Sequence, residues 1–245
     1  MAERPVFFPT PPGQHPHVEE LCFSFVWNPG FAPVQKKKNI SALHKAAERE
    51  GYLPLLEIST KSDEKLGKRL SAFNLKVHSE SDGEIPLECA FQGSKVFEGG
   101  GPFTDLYKVD PKTAKRDQRL RTSGALVRFA FEGVSFEPEP KTAFYDWLYI
   151  RAIYPHREWL ERLKQYKGFT DIEFNPQKSI NCQAYSCALF VALMKRSQLD
   201  SAVSSKANFL ALLAGTEFKL AREEIHESSE LQQLSIDFQE EHQSR

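Results

Sequence analysis

The chain has 245 residues, enough for one large domain or two small ones with a substantial core. Its hydrophobic fraction of 40% and charged fraction of 27% are those of a globular protein, and 19 Phe with 15 Pro anticipate an aromatic core and much irregular chain. A formal net charge of -1 excludes a global positive field for nucleic acid or an anionic membrane, so such a partner would need a local basic patch.

Residues 1–20, rich in proline and polar side chains, predict an extended N-terminal arm rather than a packed element. Leu21 to Trp27 alternates aromatic and branched residues and stops at Asn28-Pro29-Gly30, a strand and its turn. After Lys36-Lys37-Lys38, Asn39 to Glu50 repeats Ile40, Leu43, Ala46 and Ala47 at helical spacing until Gly51 closes the helix. The three lysines read as a solvated helix start, with phosphate contact as the sharper option. Tyr52 to Ile58 predicts a second strand, Ser59 to Ser62 a polar turn, and Ser62 to Leu70 a short helix containing Gly67.

Glu98-Gly99-Gly100-Gly101-Pro102 predicts a mobile or tightly bent loop, because glycine reaches conformations closed to other residues. It lacks the flanking strand and Lys-Ser/Thr of a phosphate-binding P-loop. Gly124 to Phe136 predicts a strand or hairpin, and Thr142 to Tyr154 a helix capped by Thr142. His156 to Tyr166 predicts a helix with Trp159, Leu160 and Leu163 on one face. Ser179 to Arg196 is apolar nearly all round, as a central helix would be, and Asn208 to Ala221 predicts another. From Glu223 the chain turns polar and charged, so residues 223–245 predict a flexible tail.

No run approaches the length of a membrane span, and Met1-Ala2-Glu3-Arg4-Pro5 lacks the apolar stretch of a secretory signal, so a cytoplasmic protein is expected. Cys22, Cys89, Cys182 and Cys187 lack CxxC spacing and the seven histidines form no paired-ligand pattern; buried reduced thiols, with no metal and no cofactor, are expected. The whole reads as one α+β domain over residues 21–222, mainly helical with a few short strands.

Pro86 suits the first turn of a helix reading Pro86-Leu87-Glu88-Cys89-Ala90-Phe91-Gln92-Gly93-Ser94-Lys95-Val96-Phe97. Within it Glu88, Gln92 and Lys95 stand at i, i+4 and i+7, so carboxylate, amide and amine share one face, with Phe91 and Phe97 available as anchors. Spacing alone describes an ordinary exposed polar stripe, worth roughly a few tenths of a kcal/mol.

That stripe follows Leu70-Ser71-Ala72-Phe73-Asn74, and together the two stretches resemble the NADAR family, including its YbiA type. There a leucine-serine-asparagine-phenylalanine stretch precedes a helix of the form serine/threonine-glutamate-x-tyrosine/phenylalanine-phenylalanine-glutamine-x-x-lysine-phenylalanine. Glu88, Phe91, Gln92 and Lys95 match in register; Ala72, Leu87 and Ala90 depart from the family's Asn, Ser/Thr and aromatic residue. The likeness continues to Gly168-Phe169-Thr170-Asp171-Ile172-Glu173-Phe174, where the family has an aspartate-bearing loop, and to Asn181–Arg196, covering roughly residues 57–196. The stretches at Asn28, Leu56 and Phe169 are similar to those of the subgroup encoded beside DarT-type ADP-ribosyltransferases.

The resemblance implies a NADAR/YbiA-like fold and an N-glycosidase that removes ADP-ribose from guanine in single-stranded DNA, as antitoxin to a DarT-type toxin. Catalytic roles then fall to Glu88, Lys95 and Asp171, and substrate contacts to Ser71, Asn74, Phe91, Gln92, Glu173 and Asn181. Cleavage at an electron-poor anomeric carbon calls for a carboxylate that steadies positive charge or activates water. Lys95 has two open roles, gripping phosphate or forming an imine with the opened ribose, and desolvation beside Phe91 or Phe97 favours the second while a Glu88 charge opposes it. Ser71 and Asn74 are equally at home in a turn, Asn181 is equally a helix cap, and Trp147 and Tyr149 are stacking candidates that more simply belong to the core. Two other functions stay open: a glycosidase acting on a small phosphorylated metabolite, and a module that holds ADP-ribose or the toxin without turnover.

Overall fold

The computed structural model describes residues 1–177 and 179–214. The chain begins with β1 (Ala2–Pro9), β2 (Val18–Phe25), α1 (Pro33–Arg49), β3 (Leu55–Glu57), α2 (Lys65–Arg69) and a hairpin of β4 (Lys76–Ser79) and β5 (Gly83–Pro86). Then come α3 (Leu87–Gly93), β6 (Lys95–Phe97), a 3-10 turn at Thr104–Lys108, α4 (Pro111–Arg116), α5 (Arg119–Thr122) and a hairpin of β7 (Leu126–Phe131) and β8 (Val134–Phe136). The last stretch runs through α6 (Ala143–Ile153), α7 (Arg157–Leu160) between two 3-10 turns, β9 (Gly168–Thr170), α8 (Gln183–Lys195), α9 (Leu199–Ser204) and α10 (Lys206–Leu213). The fold is α+β and mainly helical, as the sequence reading expects. Among the described residues no helix is long and apolar enough to cross a membrane.

Val6-Phe7-Phe8 explains the layering, because successive strand side chains point to opposite faces. Val6 and Phe8 join α1 residues Ile40, Leu43 and Ala47 in one apolar cluster. Phe7 joins Leu56 and Phe169 in the other, with α6 and α8 supplying Trp147, Tyr149, Leu189 and Phe190. The sheet between them has the order β2-β1-β9-β3, antiparallel at β1 with β2 and β9, parallel at β3 with β9. Leu43 is fully buried, so Leu43→Ala would cost about 2–5 kcal/mol through lost burial and the cavity left behind.

The first twenty residues correct the expectation of an unpacked arm: β1 lies inside the sheet and β2 already starts at Val18. Prolines obscured this, since proline cannot donate to a ladder. Yet β1 meets β9 at the single pair Phe7↔Phe169, so Pro5 and Pro9 flank that contact. The helix expected over His156 to Tyr166 is instead short α7 between 3-10 turns, with Leu160 and Leu163 buried. Trp159 is 40% exposed, with the guanidinium groups of Arg69 and Arg162 at 5.9 and 4.2 Å from its ring centre, rather than in the core. Trp147 and Tyr149 are core residues, and the Tyr149 hydroxyl donates to the Leu70 carbonyl at 2.7 Å. Thr142 stands at the start of α6, but its side chain makes no capping bond. Cys22 is exposed, against the expectation of buried thiols, and the other three cysteines are buried. The predicted tail at 223–245, and the end of the helix expected to reach Ala221, lie outside the described residues.

Candidate active site

The helix expected over 86–97 stops at Gly93, and Lys95 begins a strand. The reason is tertiary. The Ser94 hydroxyl turns back onto the Ala90 carbonyl at 2.6 Å, and the Ser94 carbonyl accepts from Ala130 N at 2.7 Å, so sheet pairing with β7 takes over where helical bonding would continue. Lys95 therefore shares a surface with Glu88 and Gln92 because the chain turns, and not through i+7 spacing. Gly101 guards this geometry: its φ is +101°, and a Cβ there would lie 2.4 Å from the Lys95 carbonyl oxygen.

A cavity of about 450 Å³ opens beside these residues. Its walls bring together seven of the nine sequence-predicted positions: Glu88, Phe91, Gln92 and Lys95 from the central segment, Asp171 and Glu173 from the loop after β9, and Asn181 before α8. Asn74 lines a different cavity and donates its amide to the Lys68 carbonyl at 2.7 Å. Ser71 is buried and does not line the central cavity; its neighbours Ala72 and Phe73 do. The tight turn explains this, for the Ser71 carbonyl accepts from Asn74 N and Leu75 N, folding the Ser71 and Asn74 side chains away from the cavity wall. Asn181 does not cap α8, whose cap position is Cys182; its Oδ1 is instead buried at the cavity and, among the described residues, has no hydrogen-bond partner.

Two walls of the cavity differ in how they hold their chemistry. On one, Asp171 Oδ2 accepts from Gln183 Nε2 at 2.9 Å, while Oδ1 accepts from Glu173 N at 3.0 Å. Behind it, wholly buried Glu57 accepts from the Thr170 hydroxyl at 2.7 Å, Ile172 N at 2.9 Å and the Ser59 hydroxyl at 2.7 Å. Glu57 thus grips the residues on both sides of Asp171. Burial raises both carboxyls above the usual carboxylate range, and the neighbouring Asp171 charge raises Glu57 further. His44 Nε2, 2.8 Å from Thr170 Oγ1, extends this network, and burial lowers the imidazole to about 4.

On the other wall the Lys95 ammonium lies 4.8 Å from the centre of the Phe91 ring. Phe91 itself stacks on Phe129 and meets Tyr145 edge-on, an apolar floor that withholds water. Burial lowers the Lys95 amine to about 8, although the Glu88 charge pulls the other way. Glu88 is buried, accepts from Gln92 Nε2 at 2.9 Å and lies 3.9 Å from the Lys115 ammonium. At the mouth Lys36 pairs with exposed Glu173 at 3.2 Å, so one of the three lysines at the α1 start reaches the site's edge.

Sequence reasoning missed Glu57, Lys115, Tyr145 and Gln183. A charge inside the apolar run Leu55-Leu56-Glu57-Ile58 was the one local signal for a buried functional carboxyl. Gln183 carries no such signal, since it joins the Ala72 amide at 2.8 Å to Asp171 only through folding. The assembled groups offer an amine near neutrality, carboxylates of differing environment, and a further cation, Lys115, for an anionic ligand. Among the described residues no group of three or more His, Cys, Asp or Glu is arranged to hold a metal ion.

No curated protein sequence matches the chain. Comparison with protein families matches residues 2–223 to the DarT1-associated NADAR antitoxins, well beyond the 57–196 interval that carries the motif likeness. With β1 at one end of that match and the cavity at its centre, the chain belongs to the DarT1-associated NADAR antitoxin family.

Proposed function

We propose that this antitoxin acts by catalysis, as a cytoplasmic ADP-ribosyl-guanine glycohydrolase that frees ADP-ribose from guanine bases in single-stranded DNA modified by its cognate toxin. Support comes above all from one observation: Lys95, lowered to about 8, faces the same cavity as the buried carboxylates Glu88 and Asp171. A group that must attack or shuttle protons near pH 7 works best when its pKa lies near the working pH.

In this reading the bond between ribose C1 and the guanine 2-amino nitrogen is a glycosylamine. The nitrogen lone pair moves onto C1 as the C1 to ring-oxygen bond breaks, and that oxygen takes a proton from a carboxylic acid at the site. The neutral Lys95 amine then adds to C1 and expels the guanine amine, leaving a lysine imine. Water adds to the imine, the C1 to Nζ bond breaks, and ADP-ribose leaves with Lys95 regenerated. Glu88 and Asp171 supply and accept these protons and steady the positive charge on C1. Lys115 balances phosphate charge, and Phe91 with Tyr145 keeps the amine poorly hydrated.

The test is release of free ADP-ribose from modified single-stranded DNA, with borohydride added to trap the imine. An adduct on Lys95 that disappears in Lys95→Ala supports the route; single-turnover release without an adduct leaves Lys95 only an electrostatic part. Release from small phosphorylated glycosylamines but not from DNA would move the substrate to metabolism. Protection from the toxin by both Glu88→Ala and Lys95→Ala would overturn catalysis in favour of binding.

A further inference from the structure

The chain's overall charge is -1, yet residues 110–121 hold Lys112, Lys115, Arg116, Arg119 and Arg121 against two acids, Asp110 and Asp117. Arg119 is compensated by Asp105 and Asp117, at 2.7 and 2.9 Å. Lys112, Arg116 and Arg121 are exposed and form no ion pair among the described residues. On α4, Lys112, Lys115 and Arg116 stand at i, i+3 and i+4, within about 100° of one another around the helix axis.

This cationic face is continuous with the active site. One of its members, Lys115, lines the cavity, lies 3.9 Å from Glu88 and 5.7 Å from the centre of the half-buried Phe73 ring. The rim at Glu173 differs, because its lysine, Lys36, is already paired with Glu173. A nucleotide seated in the cavity as part of a strand must carry its neighbouring phosphates out over the rim. Exposed cations that share a helix face with a lysine lying beside an aromatic ring are groups that hold such a strand.

We propose that the α4 face, through Lys112 and Arg116, binds the phosphodiester backbone of the single strand flanking the modified nucleotide, with Phe73 stacking an adjacent base. The inference rests on the glycohydrolase reading and deepens it. It assigns backbone recognition to Lys112 and Arg116, which do not line the catalytic cavity, so backbone recognition and chemistry separate on mutation.

Binding of an unmodified fluorescent single-stranded oligonucleotide would be measured across salt for the full chain and for Lys112→Ala/Arg116→Ala and Lys112→Glu/Arg116→Glu. Turnover would be followed on the ADP-ribosylated oligonucleotide and on ADP-ribosylated guanosine. The alanine pair should reduce the slope of log affinity against log salt by about 1.4, at roughly 0.7 for each lost phosphate contact. The glutamate pair should weaken oligonucleotide binding about tenfold or more and raise KM on the modified oligonucleotide. Both should turn over ADP-ribosylated guanosine at the wild-type rate. Wild-type affinity and salt slope in both variants would overturn the assignment, as would an equal loss on oligonucleotide and guanosine. Unchanged DNA handling with lost toxin binding would give the face to a protein partner instead. Wild-type protein that releases ADP-ribose from neither substrate would overturn the glycohydrolase reading itself.

Discussion

Asp171 and Lys95 face one cavity from walls built on opposite principles. Asp171 is held by hydrogen bonds from Gln183 and the Glu173 amide, with Glu57 bracing the backbone on either side. Lys95 has Phe91 under its ammonium and, among the described residues, no carboxylate within ion-pair distance. Satisfied polar bonds fix a position, whereas withheld solvation changes a proton affinity. In the proposed reaction the carboxylate wall would supply geometry and the lysine wall reactivity.

The largest effect should come from breaking the lysine wall. Lys95→Met keeps the bulk over Phe91 but removes the amine, and kcat on modified DNA should fall about 100-fold to 10,000-fold with the far-UV spectrum unchanged. Asp171→Asn should cost about 100-fold or more, and measurement of kcat/KM for both variants shows which wall carries more of the chemistry.

The pH profile sharpens the contrast. An amine lowered to about 8 gains its neutral form as pH rises through that value, so an imine route speeds up from pH 7 to 9 and levels beyond. A purely electrostatic Lys95 gives the reverse, since its charge is lost over the same interval. With Asp171 as the carboxylate that steadies charge on C1 and Glu88 as the proton donor, the Asp171 carboxyl, raised by burial, adds a separate rise at lower pH as it ionises. Lys95→Met should abolish the upper limb and leave the lower one in place.

Glu57 tests the brace. Glu57→Gln keeps the shape but replaces one acceptor oxygen with a donor amide against Thr170, Ser59 or the Ile172 amide. A loss of about tenfold to 100-fold in kcat with little change in KM is expected; an unchanged kcat would show that Asp171 needs no brace. The smallest effect belongs to the rim. Lys36→Ala breaks the pair with exposed Glu173 and should change stability by less than about 1 kcal/mol in chemical denaturation.

Most of the residues lining the candidate site were legible because they sit close together in sequence. Glu88, Phe91, Gln92 and Lys95 fall within eight positions, and Asp171 lies in a stretch that carries its own resemblance. Ser71 and Asn74 were read from the same stretch as Ala72 and Phe73, but a pattern cannot tell which side chains of a tight turn point inward. The α4 cations went unread because their meaning depends on what lies next to them, and the chain's near-neutral total hid the local excess.

By itself the sequence determined what depends on local order: the α+β class, the apolar α8 segment, the turn glycines, and which chemical groups cluster along the chain. Tertiary structure alone decided that β1 enters the sheet, since β2 and β9 supply the pairing and α1 covers its second face. It also ended α3 at Gly93 by pairing Ser94 with Ala130, and so put Lys95 on a strand above Phe91. Above all it decided the proton affinities of Lys95, Asp171 and Glu57. Those depend on how much water surrounds each group, a quantity set by residues far away in the chain.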